Sequence, residues 1–226
     1  MEITSRIHRI DGMRGNCYLI DRDSLVLIDT GLPRTSGRTL AYIRNTLHRT
    51  PADLRTIILT HYHMDHVGNV PALAKATGAR VAIHEADAPY LSGERAMPLP
   101  PWPRSVLIRM VKPFLGWSPV RPGILLRDGD TLAGLTCVHT PGHTPGSICL
   151  FDPEEKVLFT GDALLTPGGR IQEPSERFSA RQEEARRSLS KIASLDFDIL
   201  LSGHGEPVGP EASAMLREFL SPAQGG

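Results

Sequence analysis

The chain has 226 residues, with 25 lysines plus arginines against 25 aspartates plus glutamates and a formal net charge of zero. That length suits one generous domain or two small ones, and it buries a sizeable core without covalent staples. The balanced charge leaves no basic footprint for nucleic acid or for an anionic membrane surface, and so favours a small-molecule partner.

Three short strands open the chain, over Arg6–Ile10, Asn16–Ile20 and Ser24–Asp29, punctuated by Gly12, Gly15 and the turn DRDS. Gly31 and Pro33 end that pattern, and Ser36 is the expected N-cap of a helix running to His48, with Leu40, Ile43 and Leu47 on one face. A strand over Thr56–Leu59, a helix over Val70–Thr77 stopped by Gly78, and a strand over Arg80–His84 follow. Residues 92–123 change character, with both tryptophans, a cluster of prolines and the apolar run VLIRMVKPFLGW. Strands resume over Thr131–His139, Ser147–Phe151 and Lys156–Phe159, the last two joined by the turn DPEEK. Ser179 opens a helix that turns Ala185, Leu189 and Ile192 inward; a strand over Asp198–Leu201 and a helix over Pro210–Leu220 finish the chain. Consecutive strands followed by helix and strand, in both halves, predict two sheets packed face to face with helices outside, a four-layer αββα sandwich of class α+β. The hairpins at the start count against the runner-up, a doubly wound parallel sheet. Residues 1–226 read as a single domain with an apolar, Pro/Trp-rich insertion at about 92–123.

Cys17, Cys137 and Cys149 form no CxxC pair and sit in apolar runs, as buried thiols of a reduced, cytoplasmic protein would. The opening MEITSRIHRIDG has no long apolar stretch, so no signal peptide is expected, and no run reaches the ~18 apolar residues of a membrane span.

The chemistry is concentrated in IILTHYHMDHVGNV, residues 57–70. His61 and His63 are two apart on an extended segment and face the same way. Asp65 and His66 follow as the chain turns towards the next helix. His143 in TPGHTPGS, Asp162 in LFTGDALL and His204 in ILLSGHGEP each leave an apolar strand beside a glycine. Loops at strand ends on a rigid scaffold are where sites are built. Imidazole and carboxylate suit zinc, with iron or manganese as alternatives. Seven candidates exceed one tetrahedral ion. Two ions would use them all, one on His61, His63 and His143, the other on Asp65, His66 and His204, with Asp162 bridging. His8, His48, His84 and His139 read as structural histidines, with a place behind the ligands as the lesser reading for His84.

HYHMDH matches the HxHxDH signature of the metallo-β-lactamase superfamily, and His143, Asp162 and His204 match its later ligand motifs in order. LIDTG, residues 27–31, resembles its early aspartate motif. The resemblance runs from about Asn16 to Glu206 and implies the αββα fold, a dinuclear metal hydrolase, and Asp29 as the residue that orients a ligand histidine. In the antibiotic-hydrolysing members a cysteine usually stands where Asp162 stands here. Glyoxalase-II types carry a basic helical extension, whereas only residues 205–226 follow His204. Lactonases of this size place a tyrosine where Leu165 lies. The resemblance is to a generic hydrolase of the glyoxalase-II and lactonase branch.

The expected reaction is cleavage of an ester-type bond, in a lactone or thioester, by a metal-bridging hydroxide, with Asp65 moving the proton to the leaving group. No GxSxG nucleophile motif competes with it. A mononuclear iron oxygenase like the persulfide dioxygenases is the alternative on the same scaffold. Trp102, Met110, Phe114 and Trp117 are candidates for an apolar lid over a small-molecule substrate; the other readings of their segment are a homodimer contact and plain packing.

Overall fold

The structure is a computed structural model that describes residues 1–98, 117–174 and 182–221. It divides into two compact units, Met1–Leu125 and Leu126–Gly226.

The first unit is built on a six-stranded sheet of order β1-β2-β3-β4-β5-β6. β1 (Ile7–Arg9), β2 (Tyr18–Asp21) and β3 (Leu25–Ile28) are antiparallel neighbours, pairing Arg9 with Tyr18 and Tyr18 with Ile28. β4 (Leu54–Leu59) and β5 (Arg80–His84) then run parallel to β3, so each is reached by a helical crossover. The first crossover carries α1 (Ser36–Asn45), and the second carries α2 (Met64–Val67) and α3 (Val70–Thr77). α4 (Ala88–Leu91) follows β5, and β6 (Ile124–Leu126) lies beside β5 at the sheet edge. Every residue of β3, LVLI, is buried, as a strand covered on both faces requires. Leu25, Leu27, Ile57 and Leu59 pack with Ile43 of α1 and with Val70 and Leu73 of α3 in one core.

The second unit has a five-stranded sheet of order β11-β10-β9-β8-β7. β7 (Thr131–Leu132), β8 (Leu135–His139), β9 (Ile148–Asp152) and β10 (Val157–Gly161) form an antiparallel meander. β11 (Ile199–Ser202) joins β10 in parallel, after a connection containing α5 (Gln182–Ala193). α6 (Ala212–Leu220) closes the unit. Its core gathers Leu158, Leu189, Ile192, Phe197, Leu200 and Leu216.

The expected strand over Thr131–His139 is two strands. Ala133 (φ 52°) and Gly134 (φ 82°) both take positive φ and form a two-residue hairpin, pairing Thr131 with Thr136 and Leu132 with Leu135. Ser36 is the first residue of α1 rather than its cap, and Thr35 precedes it without a side-chain capping bond. The short helix α2 was not expected. Ser179 and the lid candidates Trp102, Met110 and Phe114 lie outside the described residues. Trp117 is half-buried against the core of the first unit, and Val120 donates its N–H to the Leu91 carbonyl at 3.0 Å. Among the described residues, no helix is long and apolar enough to cross a membrane.

Candidate metal centre

β4 ends at Leu59, and the chain stays extended through His63 (φ −65°, ψ 148°) before α2 begins at Met64. This brings His61, His63, Asp65 and His66 together at one end of the first sheet. The ring centroids of His61 and His63 lie 4.7 Å apart, and those of His61 and His66 4.1 Å apart. Ligand atoms of His61 and His63, of His61 and His66, and of Asp65 and His66 lie within 4.8 Å of each other. His61 and His66 are buried; His63 and Asp65 are half-buried.

Asp29 organises this group. It sits at the exit of β3 with a left-handed backbone (φ 58°) and only 2% of its surface exposed. Aspartate is among the side chains that tolerate this conformation, and positive φ at a buried position often marks a functional constraint. Its Oδ1 accepts the Thr60 backbone N–H at 2.9 Å, and its Oδ2 accepts the Thr60 hydroxyl at 2.7 Å. The same Oδ2 lies 2.7 Å from His66 Nδ1. A carboxylate only accepts, so His66 donates from Nδ1, and in the neutral ring Nε2 is the nitrogen left with a lone pair. That is the state a metal-ligating imidazole needs.

Neighbouring polar residues anchor the surrounding loops. Asp87, fully buried, accepts the Tyr62 backbone N–H on Oδ2 at 3.2 Å, which ties down the link between His61 and His63. The Tyr62 ring stacks on Tyr90 with centroids 4.2 Å apart. Burial, with Asp87 and Tyr90 nearby, pushes the Tyr62 hydroxyl up to about 12. Asn69, also buried, donates to the carbonyls of Thr30 (2.5 Å) and Leu32 (2.6 Å) and accepts the N–H groups of Thr35 and Ser36, both at 3.1 Å. It thereby fixes the loop that follows Asp29.

In the second unit, His143, Asp162 and His204 follow β8, β10 and β11, all at one end of that sheet. Asp162 Oδ2 is 3.5 Å from His143 Nε2 and 3.5 Å from His204 Nε2. Zinc–nitrogen bonds of about 2.0–2.1 Å place neighbouring ligand atoms of a tetrahedron about 3.4 Å apart. The spacing is that of neighbouring ligand atoms around a metal ion, so these three side chains could serve as metal ligands. His143 and Asp162 are largely buried (3% and 11% exposed side chains), whereas His204 is open at 38%. The His143 loop is closed by Thr144, whose N–H reaches Ser147 Oγ at 3.0 Å. It is tied to α5 by the Ser188 hydroxyl, which donates to the Pro141 carbonyl at 2.8 Å. The His204 carbonyl accepts from the Thr166 N–H (2.9 Å) and the Ser202 hydroxyl (2.8 Å). The Thr166 hydroxyl in turn donates to Ser202 at 2.6 Å.

The histidines read as structural are engaged elsewhere. His8 Nδ1 lies 3.2 Å from the Tyr42 hydroxyl, and His139 Nε2 2.9 Å from the Pro145 carbonyl. His84 is buried, and its Nδ1 accepts the Ala86 N–H at 3.3 Å. Sequence reasoning did not single out Thr60, Asp87, Asn69, Thr166 or Ser202. The signal for Thr60 was available: a hydroxyl that ends an otherwise apolar strand must find partners when buried.

Residues 10–204 match the profile of the metallo-β-lactamase superfamily. A Bacillus subtilis (strain 168) protein described as the probable metallo-hydrolase YflN is 30% identical over 92% of this chain and 86% of its own length. The Bos taurus acyl-coenzyme A thioesterase MBLAC2 is 31% identical over 88% of this chain and 76% of its own. A solved structure of TTHA1623 in a di-iron-bound form superposes with a TM-score of 0.67 at 27% identity, covering 95% of this chain and 99% of that one. The chain belongs to the metallo-β-lactamase superfamily of metal-dependent hydrolases and has the fold that its sequence led one to expect.

Proposed function

We propose that this protein is a dinuclear metal-dependent hydrolase of ester-type bonds, with thioesters the first class to test and lactones the second. The single observation that carries the reading is Asp162 Oδ2, set 3.5 Å from both His143 Nε2 and His204 Nε2. Similarity to an acyl-coenzyme A thioesterase over most of both chains supports the substrate class. An aspartate at 162, where many antibiotic-hydrolysing members carry cysteine, speaks against β-lactams. In this reading His61, His63 and His143 would hold one ion and Asp65, His66 and His204 the other, with Asp162 common to both. Zinc is the first candidate, and iron is the alternative that the di-iron relative suggests. A pair of divalent cations lowers the pKa of a shared water from 15.7 towards roughly 7 and so supplies a nucleophile at neutral pH.

The chain's own groups do the rest. Asp29 holds His66 with Nε2 outward. Asp65, half-buried at the start of α2, accepts the water's proton and returns it to the departing thiol or alcohol. The substrate in this reading is a small molecule.

The test pairs metal content with a panel of acyl-coenzyme A thioesters, lactones, phosphodiesters and β-lactams, with oxygen uptake followed in parallel. Thioesters or lactones should turn over without oxygen uptake. His61→Ala and Asp162→Ala should each lose more than about 100-fold in kcat/KM, beyond the usual effect of losing an outer-shell partner. Full turnover by metal-free protein would sink the proposal.

A further inference from the structure

Asp29 contacts one ligand histidine directly, and the geometry points to a second connection. We infer that Thr60 is a positioning residue: its hydroxyl links Asp29 to His61, so that one buried carboxylate sets the tautomer of both His61 and His66. The inference rests on the metal reading above and deepens it.

The argument is a proton count. Thr60 has one hydroxyl hydrogen. Its Oγ1 lies 2.7 Å from Asp29 Oδ2 and 3.1 Å from His61 Nδ1. The carboxylate has no hydrogen to offer, so the hydroxyl proton points to Asp29. The contact with His61 is then a hydrogen bond only if Nδ1 carries the proton and Oγ1 accepts it. A neutral His61 is thereby the Nδ1–H tautomer with its lone pair on Nε2, as a neutral His66 is by direct contact with the same Oδ2. Thr60 and His61 are 2% and 1% exposed, so water does not compete for these bonds. The Thr60 backbone N–H is bound separately, to Asp29 Oδ1 at 2.9 Å. Removing the hydroxyl therefore spares the main-chain tie at the end of β4. In the proposed assignment His61 and His66 serve different ions, so Asp29 serves both, one of them only through Thr60.

Two variants isolate the hydroxyl. Thr60→Val keeps the branched shape and removes the hydroxyl; Thr60→Ser keeps the hydroxyl and removes the methyl group. The first measurement is long-range ¹H–¹⁵N correlation of the histidine rings in metal-free protein. His61 should be the Nδ1–H tautomer in the unchanged protein and in Thr60→Ser, and should lose that preference in Thr60→Val. The second is zinc competition against a chromophoric chelator. Thr60→Val should bind one zinc equivalent about 10–100-fold more weakly, the usual effect of losing such a partner, and leave the other equivalent unchanged. Thr60→Ser should match the unchanged protein. The inference is overturned if His61 in the unchanged protein carries its proton on Nε2, a result that needs no variant to fold. It is also overturned if Thr60→Val binds both equivalents at full strength, or if Thr60→Ser is impaired as badly as Thr60→Val. Should the unchanged protein take up no metal at all, the dinuclear reading fails, while the tautomer measurement still judges the hydrogen-bond link.

Discussion

Cys149 is fully buried in β9, with its Sγ 3.5 Å from Thr140 Oγ1 and 3.7 Å from the Thr160 carbonyl. Burial pushes its thiol up to about 12, and burial together with Asp128 and Asp130 does the same to Cys137. Cys17 is displaced in the same direction, chiefly by burial. In the unfolded chain these thiols ionise near an ordinary value of about 8.5. Between about pH 9 and 12 the unfolded state binds fewer protons than the folded one, so stability is complete below that window and falls as pH rises through it. The urea midpoint should hold from pH 7 to 8 and then decline, by up to about 1.4 kcal/mol per pH unit for each thiol. Cys149→Ala should flatten the decline; an unchanged slope in that variant would refute the assignment. A disulfide reagent at pH 8 should label none of the three in folded protein and all three in urea. The buried state of these thiols was legible because each cysteine stands inside an apolar run. That the Thr60 hydroxyl needs a partner was legible too, but which partner was not, because only the folded chain shows that it meets Asp29.

The loop that carries His143 owes its course to α5. Gly142 (φ 136°) passes so close to that helix that a Cβ on it would lie 2.5 Å from Ala185 Cα, and Ser188 ties the preceding carbonyl of Pro141. Gly142→Ala combines backbone strain with a contact that backbone atoms cannot relieve. We expect a loss of about 1–3 kcal/mol, read as a lower urea midpoint, since over-packing typically costs that much. The same variant should bind fewer than two zinc equivalents, because His143 moves with the loop. Unaltered stability and stoichiometry would show that the contact is soft. At this scale the sequence was a good guide where pattern and punctuation agree. Val70–Thr77 is a helix that ends at Gly78 in the left-handed region, and Arg80–His84 is a strand, as expected. It was a poor guide at Ala133–Gly134, since alanine rarely adopts positive φ and gave no turn signal. The helix Met64–Val67 was not legible because four residues carry no periodicity.

For the whole molecule, the legible part of the site was its donor set, because only a few side-chain types can ligate a hard or borderline cation and they recur at strand exits. The hydrogen bonds behind the candidate ligands were beyond such reading. The candidate ligands fall in both compact units, at residues 61–66 and 143–204, each unit with its own apolar core. A cation bound by the folded chain and not by the unfolded one must stabilise the fold by mass action. At zinc concentrations 100 times the dissociation constant the gain is about 2.7 kcal/mol. For a chain of this size that corresponds to roughly 5–10 °C in Tm. A chelator should lower the Tm of the purified protein by that order, and added zinc should restore it. Asp162→Ala should shrink the increment, because the shared carboxylate oxygen is gone, while the Tm of the chelated variant stays near that of the chelated parent. If chelation leaves the melting curve unmoved in protein that still turns over substrate, the bound metals are not what holds these seven side chains in place.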